Sequence, residues 1–197
     1  ACANYSRYGL TTLMTQANNP DMFLIPDPSA LLTTLSDQTY IGAYVPHNLV
    51  LMSDIHRLKY AMYLNNDAYD ALKKMIDAMP DEIANDFYVK EAYTSFTDLQ
   101  YSNPNLAGKD ERQLGHTVSI ASKSIAYQEF ETSALSQWLE SHSYEYGFIL
   151  RYPKRMASST NHVYDAHYYR YVGKKNANKI YKENSCIEEY NQKEAAE

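Results

Sequence analysis

Glycine and cysteine are scarce in this chain: six glycines, each standing alone, and two cysteines in 197 residues. No glycines fall at the spacing of a phosphate-cradling fingerprint, so nucleotide cofactors are not indicated. Nor does any stretch reach the ~20 apolar residues of a membrane helix. The longest candidate, Tyr44–Ile55, is interrupted by His47, Asn48 and Asp54. Basic runs are missing as well. With 18 Lys and Arg against 24 Asp and Glu the net charge is −6, which supplies no field to gather phosphate backbones. Nucleic acid is not an expected partner.

What the chain does have is enough apolar material for one ordinary domain, with 45% hydrophobic and 21% charged residues. A chain of this length buries roughly 70% of the surface its unfolded form exposes, so a core forms without help from a metal or a disulfide. Tyrosine is abundant, at 20 residues. Each ring offers a flat apolar face and a polar tip, which suits strands and half-buried surface first and contact with sugars or peptides second. The group Tyr164, Tyr168, Tyr169 and Tyr171 is the densest. The sequence opens on Ala1-Cys2 with no basic, apolar leader, the pattern left when a signal segment has been removed. Cys2 and Cys186 leave three readings open: a bridge across nearly the whole chain, a lipid anchor on Cys2 as in bacterial lipoproteins, or two free thiols.

Residues 1–40 are rich in Asn, Thr, Pro and Ser and are punctuated by Asn19-Pro20 and Pro26-Asp27-Pro28, which reads as an extended lead-in packed on the domain. From Asn66 to Met79 the apolar residues Ala68, Ala71, Leu72, Met75, Ile76 and Met79 recur at three and four, the stripe of an amphipathic helix stopped before Pro80. Phe87-Tyr88-Val89 and Val118-Ser119-Ile120 read as strands, and Tyr101–Asp110 as a loop. Ala134, Leu135, Trp138, Leu139 and Tyr146 are spaced for a second helix, with Gly147 at the left-handed position that ends it. Phe148–Tyr152 and His162–Val172 read as strands, Lys174–Glu183 as a helix, and Ser185-x-x-Glu188 as the capping box of a last one. Helices and strands mix without a βαβ repeat, which predicts an α+β fold, a small antiparallel sheet with flanking helices, in a single domain over 41–197.

The run from Trp138-Leu139 through Tyr144-Glu145-Tyr146-Gly147-Phe148-Ile149-Leu150-Arg151-Tyr152-Pro153-Lys154, followed by Tyr168-Tyr169-Arg170-Tyr171-Val172-Gly173-Lys174, closely resembles the VanY-type D-alanyl-D-alanine carboxypeptidases. Tyr44–Val50, Ala71–Met75 and Ile187–Tyr190 are similar to further segments of that family, so the likeness covers about residues 40–192. It implies a zinc D,D-carboxypeptidase-like fold acting on peptidoglycan stem peptides, in an extracytoplasmic location at the bacterial cell envelope or secreted.

The motif residues depart from that pattern. The family's Ser-x-His-x-x-Gly-x-Ala-x-Asp segment, which supplies two zinc ligands, aligns with Asp110–Ser119: Gln113 and Gly115 remain, but Arg112 stands for the histidine and Ser119 for the aspartate. A permanent cation repels Zn²⁺ and a neutral hydroxyl holds it poorly. Where the family has Glu-Pro-Trp-His, this chain has Asp165-Ala166-His167-Tyr168, so Tyr168 replaces the third ligand. Asp165 keeps the base's carboxylate about 1.5 Å short. The substrate-clamping arginine of Ser-x-Tyr-Arg-Ser aligns with Thr94, between Tyr93 and Ser95, with Gln100 following; a threonine cannot make the bidentate ion pair.

The expectation is therefore a degenerate, zinc-free and non-catalytic homologue that binds a peptidoglycan stem peptide or an envelope protein through Arg112, Ser119, Tyr168, Thr94, Tyr93, Gln100 and Arg170, with Arg112 paired to Glu111 or Asp165. Aromatic candidates beside these are Trp138 and Tyr169. The alternative is an active zinc-dependent D,D-carboxypeptidase with displaced ligands drawn from His116, His167 and Asp165, His162 being a further candidate. Strand alternation sets Asp165 and His167 on one face and Tyr168 and His162 on the other. A Ser119, His167, Asp165 triad lacks the sharp turn that would present its nucleophile. A third reading makes the domain an adaptor in an envelope or spore assembly, held by its Tyr- and Asn-rich surface.

Overall fold

The computed structural model of the chain describes residues 22–196. Two short pairs come first: β1 (Phe23–Leu24) lies parallel to β2 (Thr39–Tyr40), and β3 (Leu49–Leu51) lies antiparallel to β4 (Tyr63–Asn65). Helix α1 (Asn66–Asp77) follows. Asn65 caps it, accepting from the N–H groups of Asp67 and Ala68, and the expected stripe turns Ala68, Leu72 and Met75 into the core. A short α2 (Asp81–Asp86), with two acidic residues in its first turn, leads to β5 (Phe87–Glu91). Then come α3 (Phe96–Ser102), β6 (Thr117–Ser122), α4 (Ala134–His142), β7 (Phe148–Tyr152), α5 (Ala157–Thr160), β8 (Asp165–Tyr171), α6 (Lys174–Glu183) and α7 (Ile187–Glu194). None of the described helices is long and apolar enough to cross a membrane.

β5, β6, β8 and β7, in that order, form one antiparallel sheet. Its faces bury two apolar clusters. Leu72, Met75, Val89, Val118, Leu139, Phe148 and Tyr169 belong to the larger, and Ile149, Val172, Ala177, Ile180 and Ile187 to the smaller. The alternation of Phe148 and Ile149 between the two is the period-two signature of a strand covered on both sides. Gly147 does stop the α4 segment. The helix tightens into a 3-10 turn at Ser143–Tyr146, and Gly147 at φ 91° closes it. A Cβ at Gly147 would meet the Tyr171 ring at 2.8 Å.

A buried ionic network fastens the periphery to this sheet. Arg151 forks onto Glu111 (2.8 and 2.7 Å) and onto Glu188 of α7 (3.1 and 2.6 Å). Arg170 donates to the carbonyls of Leu31 (3.2 Å) and Thr33 (3.4 Å). Burial opposes the charge on Glu111, but Arg151 and then Arg170 hold its carboxyl below the usual range.

Two local expectations are corrected. The capping box at Ser185 does not form: Cys186 is the N-cap of α7 without a side-chain cap bond, because Glu188 is drawn to Arg151, where a charge-assisted fork outweighs a neutral cap. The loop expected over 101–110 begins inside α3, which Ser95 caps by accepting from the Asp98 N–H at 3.1 Å. Cys2 lies outside the described residues, and with it the bridge and lipid-anchor readings; Cys186 is buried.

Candidate functional site

Register builds the floor of the site. Glu91 on β5 faces Ser119 on β6, and Ser119 faces Tyr168 on β8. Directly opposed residues share a sheet face, so the three side chains form one row. Arg112 reaches this row from a 3-10 turn, Glu111–Leu114, that ends at Gly115 with φ 75°. Only glycine fits there, since a Cβ would stand 3.0 Å from Pro46 and 3.1 Å from Leu49. Gln113 is fully buried and ties the turn down, donating to the carbonyls of Gly42 (2.8 Å) and Tyr44 (3.0 Å) and accepting from the Gly108 N–H (3.0 Å). The two retained motif residues thus position the turn.

The Arg112 guanidinium is gripped from two sides. Nε donates to both oxygens of Asp110 (3.0 and 3.1 Å), Nη2 to Asp110 Oδ2 (2.6 Å), and Nη1 to Glu91 Oε2. The same Glu91 oxygen accepts from the Tyr168 hydroxyl at 2.8 Å. Burial works against the cation, but the hydrogen bonds and charge of Asp110, backed by Glu91, hold it more basic than an ordinary arginine. Burial pushes the Tyr168 phenol up; Arg112 pulls it back and Glu91 pushes it up again, so the hydroxyl stays protonated at neutral pH. Beside this fork is a hollow of about 290 Å³ lined by Asp110, Arg112, Tyr152, His162, Asp165 and Tyr168 among others. His162 stacks on Tyr152 with ring centroids 3.8 Å apart.

Two sequence expectations are overturned here. Arg112 pairs with Asp110 and Glu91, not with Glu111 or Asp165; Glu111 is engaged by Arg151. Asp165 shares the hollow with Tyr168 and His162 and accepts the His167 backbone N–H at 2.9 Å, while the His167 imidazole turns away to the carbonyls of Ile120 and Tyr127. The register explains it: Leu150 pairs with Tyr169 and Tyr152 with Asp165, so Ala166, His167 and Tyr168 bulge against Arg151 alone. A bulge breaks the alternation on which the face assignment rested.

The other candidates are scattered. Tyr93 is half-buried and donates its N–H to the Tyr63 carbonyl (3.1 Å), Thr94 bonds back to the Ala92 carbonyl (3.2 Å), and Gln100 is exposed on α3. Arg170 and Tyr169 are fully buried, and Trp138 stacks on His142 with centroids 4.7 Å apart. His167 sits between the rings of Tyr127 (3.6 Å) and Phe130 (4.4 Å). Its two nitrogens lie 2.7 and 3.0 Å from the carbonyls of Ile120 and Tyr127. His116 is buried near Arg170, with Nδ1 unpartnered among the described residues; burial, then the Arg170 charge, push its imidazole down to about 3. Among the described residues no three or more His, Cys, Asp or Glu converge as metal ligands.

Arg112, Ser119 and Tyr168 do not fit a zinc ion. A guanidinium has no lone pair to give, a protonated phenol and a hydroxyl are weak donors, and the cation adds repulsion. Glu91, Asp110 and Tyr152 escaped the sequence reading. A signal was present for Asp110, which stands where the family motif carries serine, two residues before Arg112; Glu91 also stands at a serine position, but far from Arg112 in the sequence.

The α+β scaffold with this four-stranded order gives the class: the fold of the zinc D,D-carboxypeptidases, as its likeness to solved structures shows. The family model for VanY, D-alanyl-D-alanine carboxypeptidase, matches residues 97–174. Putative carboxypeptidase YodJ of Bacillus subtilis (strain 168) is 29% identical over 191 residues, covering 86% of this chain and 70% of that protein. A D-alanyl-D-alanine carboxypeptidase of Enterococcus faecalis is 34% identical over 124 residues, covering 62% of this chain and 44% of the relative. Among solved structures, the LdcB LD-carboxypeptidase, described for its peptidoglycan recognition, superposes with a TM-score of 0.78 at 27% identity, over 87% of this chain and 90% of that one. A vancomycin-resistance D,D-pentapeptidase VanY mutant in complex with Zn(II) gives 0.64 at 25% identity, over 81% and 98%. In sequence and in fold the chain is similar to the VanY-type D-alanyl-D-alanine carboxypeptidases.

Proposed function

We propose that this chain is a zinc-free, non-catalytic member of its family that works outside the cytoplasmic membrane of a bacterium and binds a peptidoglycan stem peptide in the hollow beside Arg112. The observation that carries the reading is the fork itself: Asp110, Glu91 and the Tyr168 hydroxyl satisfy a guanidinium at the position of a ligand histidine. The guanidinium fills the space a divalent cation would need and repels it, and both carboxylates that could have drawn one in are already engaged. Asp165 then has no activated water to serve. The hollow stays open beside Tyr168 and the stacked His162–Tyr152 pair, and the LdcB LD-carboxypeptidase of this fold is described for its peptidoglycan recognition. A protein of the envelope is the other occupant compatible with this reading.

Elemental analysis and peptide cleavage test it together. The expected result is zinc far below one per chain, no D-alanine released from a peptide ending in D-alanyl-D-alanine, and retention on insoluble peptidoglycan that weakens when Arg112→Ala and Tyr168→Ala are combined. Near-stoichiometric zinc that disappears on His167→Ala, together with D-alanine release, would instead establish the active enzyme with displaced ligands. Retention that survives the double substitution but fails when surface tyrosines are changed would move binding away from the hollow.

A further inference from the structure

Once its internal ion pairs are formed, the hollow beside Arg112 is left with more negative than positive charge. Arg112 answers two carboxylates, Asp110 and Glu91, with a single charge. Glu111 is met by Arg151 and Arg170. Asp165, half-buried in the same lining, accepts the His167 N–H at 2.9 Å and has no cationic partner among the described residues. Asp37 lines the hollow too, and Lys109 donates to the Asp37 backbone carbonyl at 3.3 Å. Among the described residues of the lining, Lys109 is thus the one lysine or arginine outside an ion pair, against Asp37, Asp165 and the surplus charge of the fork.

The register decides which acid an incoming group meets. Asp165 opens β8 opposite Tyr152, and Tyr152 carries the stacked His162 ring at 3.8 Å and stands 6.0 Å from the Tyr168 ring. Rings on this wall reduce its contact with water, so a carboxylate among them attracts an opposite charge more strongly than it would in bulk solvent. A carboxylate ligand has no comparable partner. Arg112 is gripped from two sides, and Thr94, at the position of the family's clamping arginine, bonds back to the Ala92 carbonyl at 3.2 Å. Lys109 alone remains for it, already tied to the Asp37 backbone.

We propose that the group seated in this hollow is a primary ammonium, received by Asp165 beside Tyr168, and that the terminal carboxylate of the peptide stays outside. This rests on the stem-peptide reading given above and names the end of the peptide that enters. An ammonium brings three donors and a compact charge, which suits a carboxylate that has spent one lone pair on a backbone N–H. Two places on a stem peptide carry such a group, the side chain of a diamino residue and a free N-terminus, and the probes below separate them.

Isothermal titration of the full chain uses L-alanyl-γ-D-glutamyl-L-lysyl-D-alanine blocked in different ways. The N-acetylated peptide, with its lysine amine free, should bind, and acetylating that amine as well should weaken binding by about tenfold or more. Asp165→Asn should remove most of that difference at an unchanged Tm, whereas amidating the C-terminus should alter affinity by less than about threefold. A peptide blocked at the lysine amine alone locates the group: binding that follows the side-chain amine assigns it there, binding that follows the free N-terminus assigns it to the terminus, and either supports the proposal. Equal affinity for the doubly acetylated peptide, or loss of binding on amidation, would overturn the ammonium assignment; the hollow would still be the peptide site if combined Arg112→Ala and Tyr168→Ala abolished that binding. No binding of any form, or binding indifferent to the double substitution, would overturn the stem-peptide reading and this proposal together.

Discussion

His116 sets an acid limit on the fold that can be measured apart from the carboxylates. The side chain is 3% exposed, and its imidazole is pushed from the usual 6.5 down to about 3. In the unfolded chain the ring takes up a proton near its usual value; in the folded protein it does not until far lower. Between those values the unfolded state binds the extra proton, so stability falls as pH falls. At 1.36 kcal/mol per pH unit, going from pH 8 to pH 4.5 removes about 2.7 kcal/mol, or roughly 5–10 °C of Tm for a chain of this length. Glu111 acts lower: its stabilisation is complete above its unfolded value of 4.5 and is lost as pH falls through its depressed folded value. Urea unfolding at pH 8 and 4.5, on the wild type and on His116→Leu, separates the two. The wild type should lose about 2.7 kcal/mol and the variant less than about 1 kcal/mol. Equal losses in both proteins, or an NMR titration of His116 near pH 6.5, would refute the reasoning.

Replacing Arg112 with alanine leaves Asp110 and Glu91 facing each other without a cation. The expected cost is about 2 kcal/mol, moderated because Glu91 is 36% exposed, and Arg112→Lys should recover only part of it in thermal unfolding. Combining Arg112→His, Ser119→Asp, Tyr168→His and Glu91→Ser should give a chain that retains zinc through gel filtration, whereas Arg112→His alone should retain none; elemental analysis reads both. A chelator should leave the Tm of the wild type unchanged. Gly115→Ala should cost roughly 2 kcal/mol in urea unfolding, since it sets a Cβ at positive φ against Pro46 and Leu49.

Much of the scaffold was legible wherever a local signal acts alone. The α1 stripe, the Gly147 stop, the strand at Phe148–Tyr152 and the helix at Lys174–Glu183 all stand where periodicity and capping put them. Legibility failed where a distant partner intervened. Glu188 has the spacing of a capping residue, yet Arg151, 37 residues away, takes it. Asp165 and His167 alternate in the sequence, yet the carboxylate lines the hollow and the imidazole packs between Tyr127 and Phe130, because the bulge against Arg151 is a property of two strands together. Similarly, the β3–β4 pair joins two three-residue strands across a long connection, too short and too far apart to announce a hairpin. In the site, alignment with the family located the lost ligands but not what answers Arg112, since Glu91 lies 21 residues upstream on another strand.

The mutual dependence of Arg112, Asp110, Glu91 and Tyr168 also makes the change directional. A lineage that took histidine at position 112 first would leave two acids without their counter-ion; one that first discarded either acid would leave the base with half its grip. Each single change passes through a less stable protein, so the four residues act as a ratchet that holds one another in place.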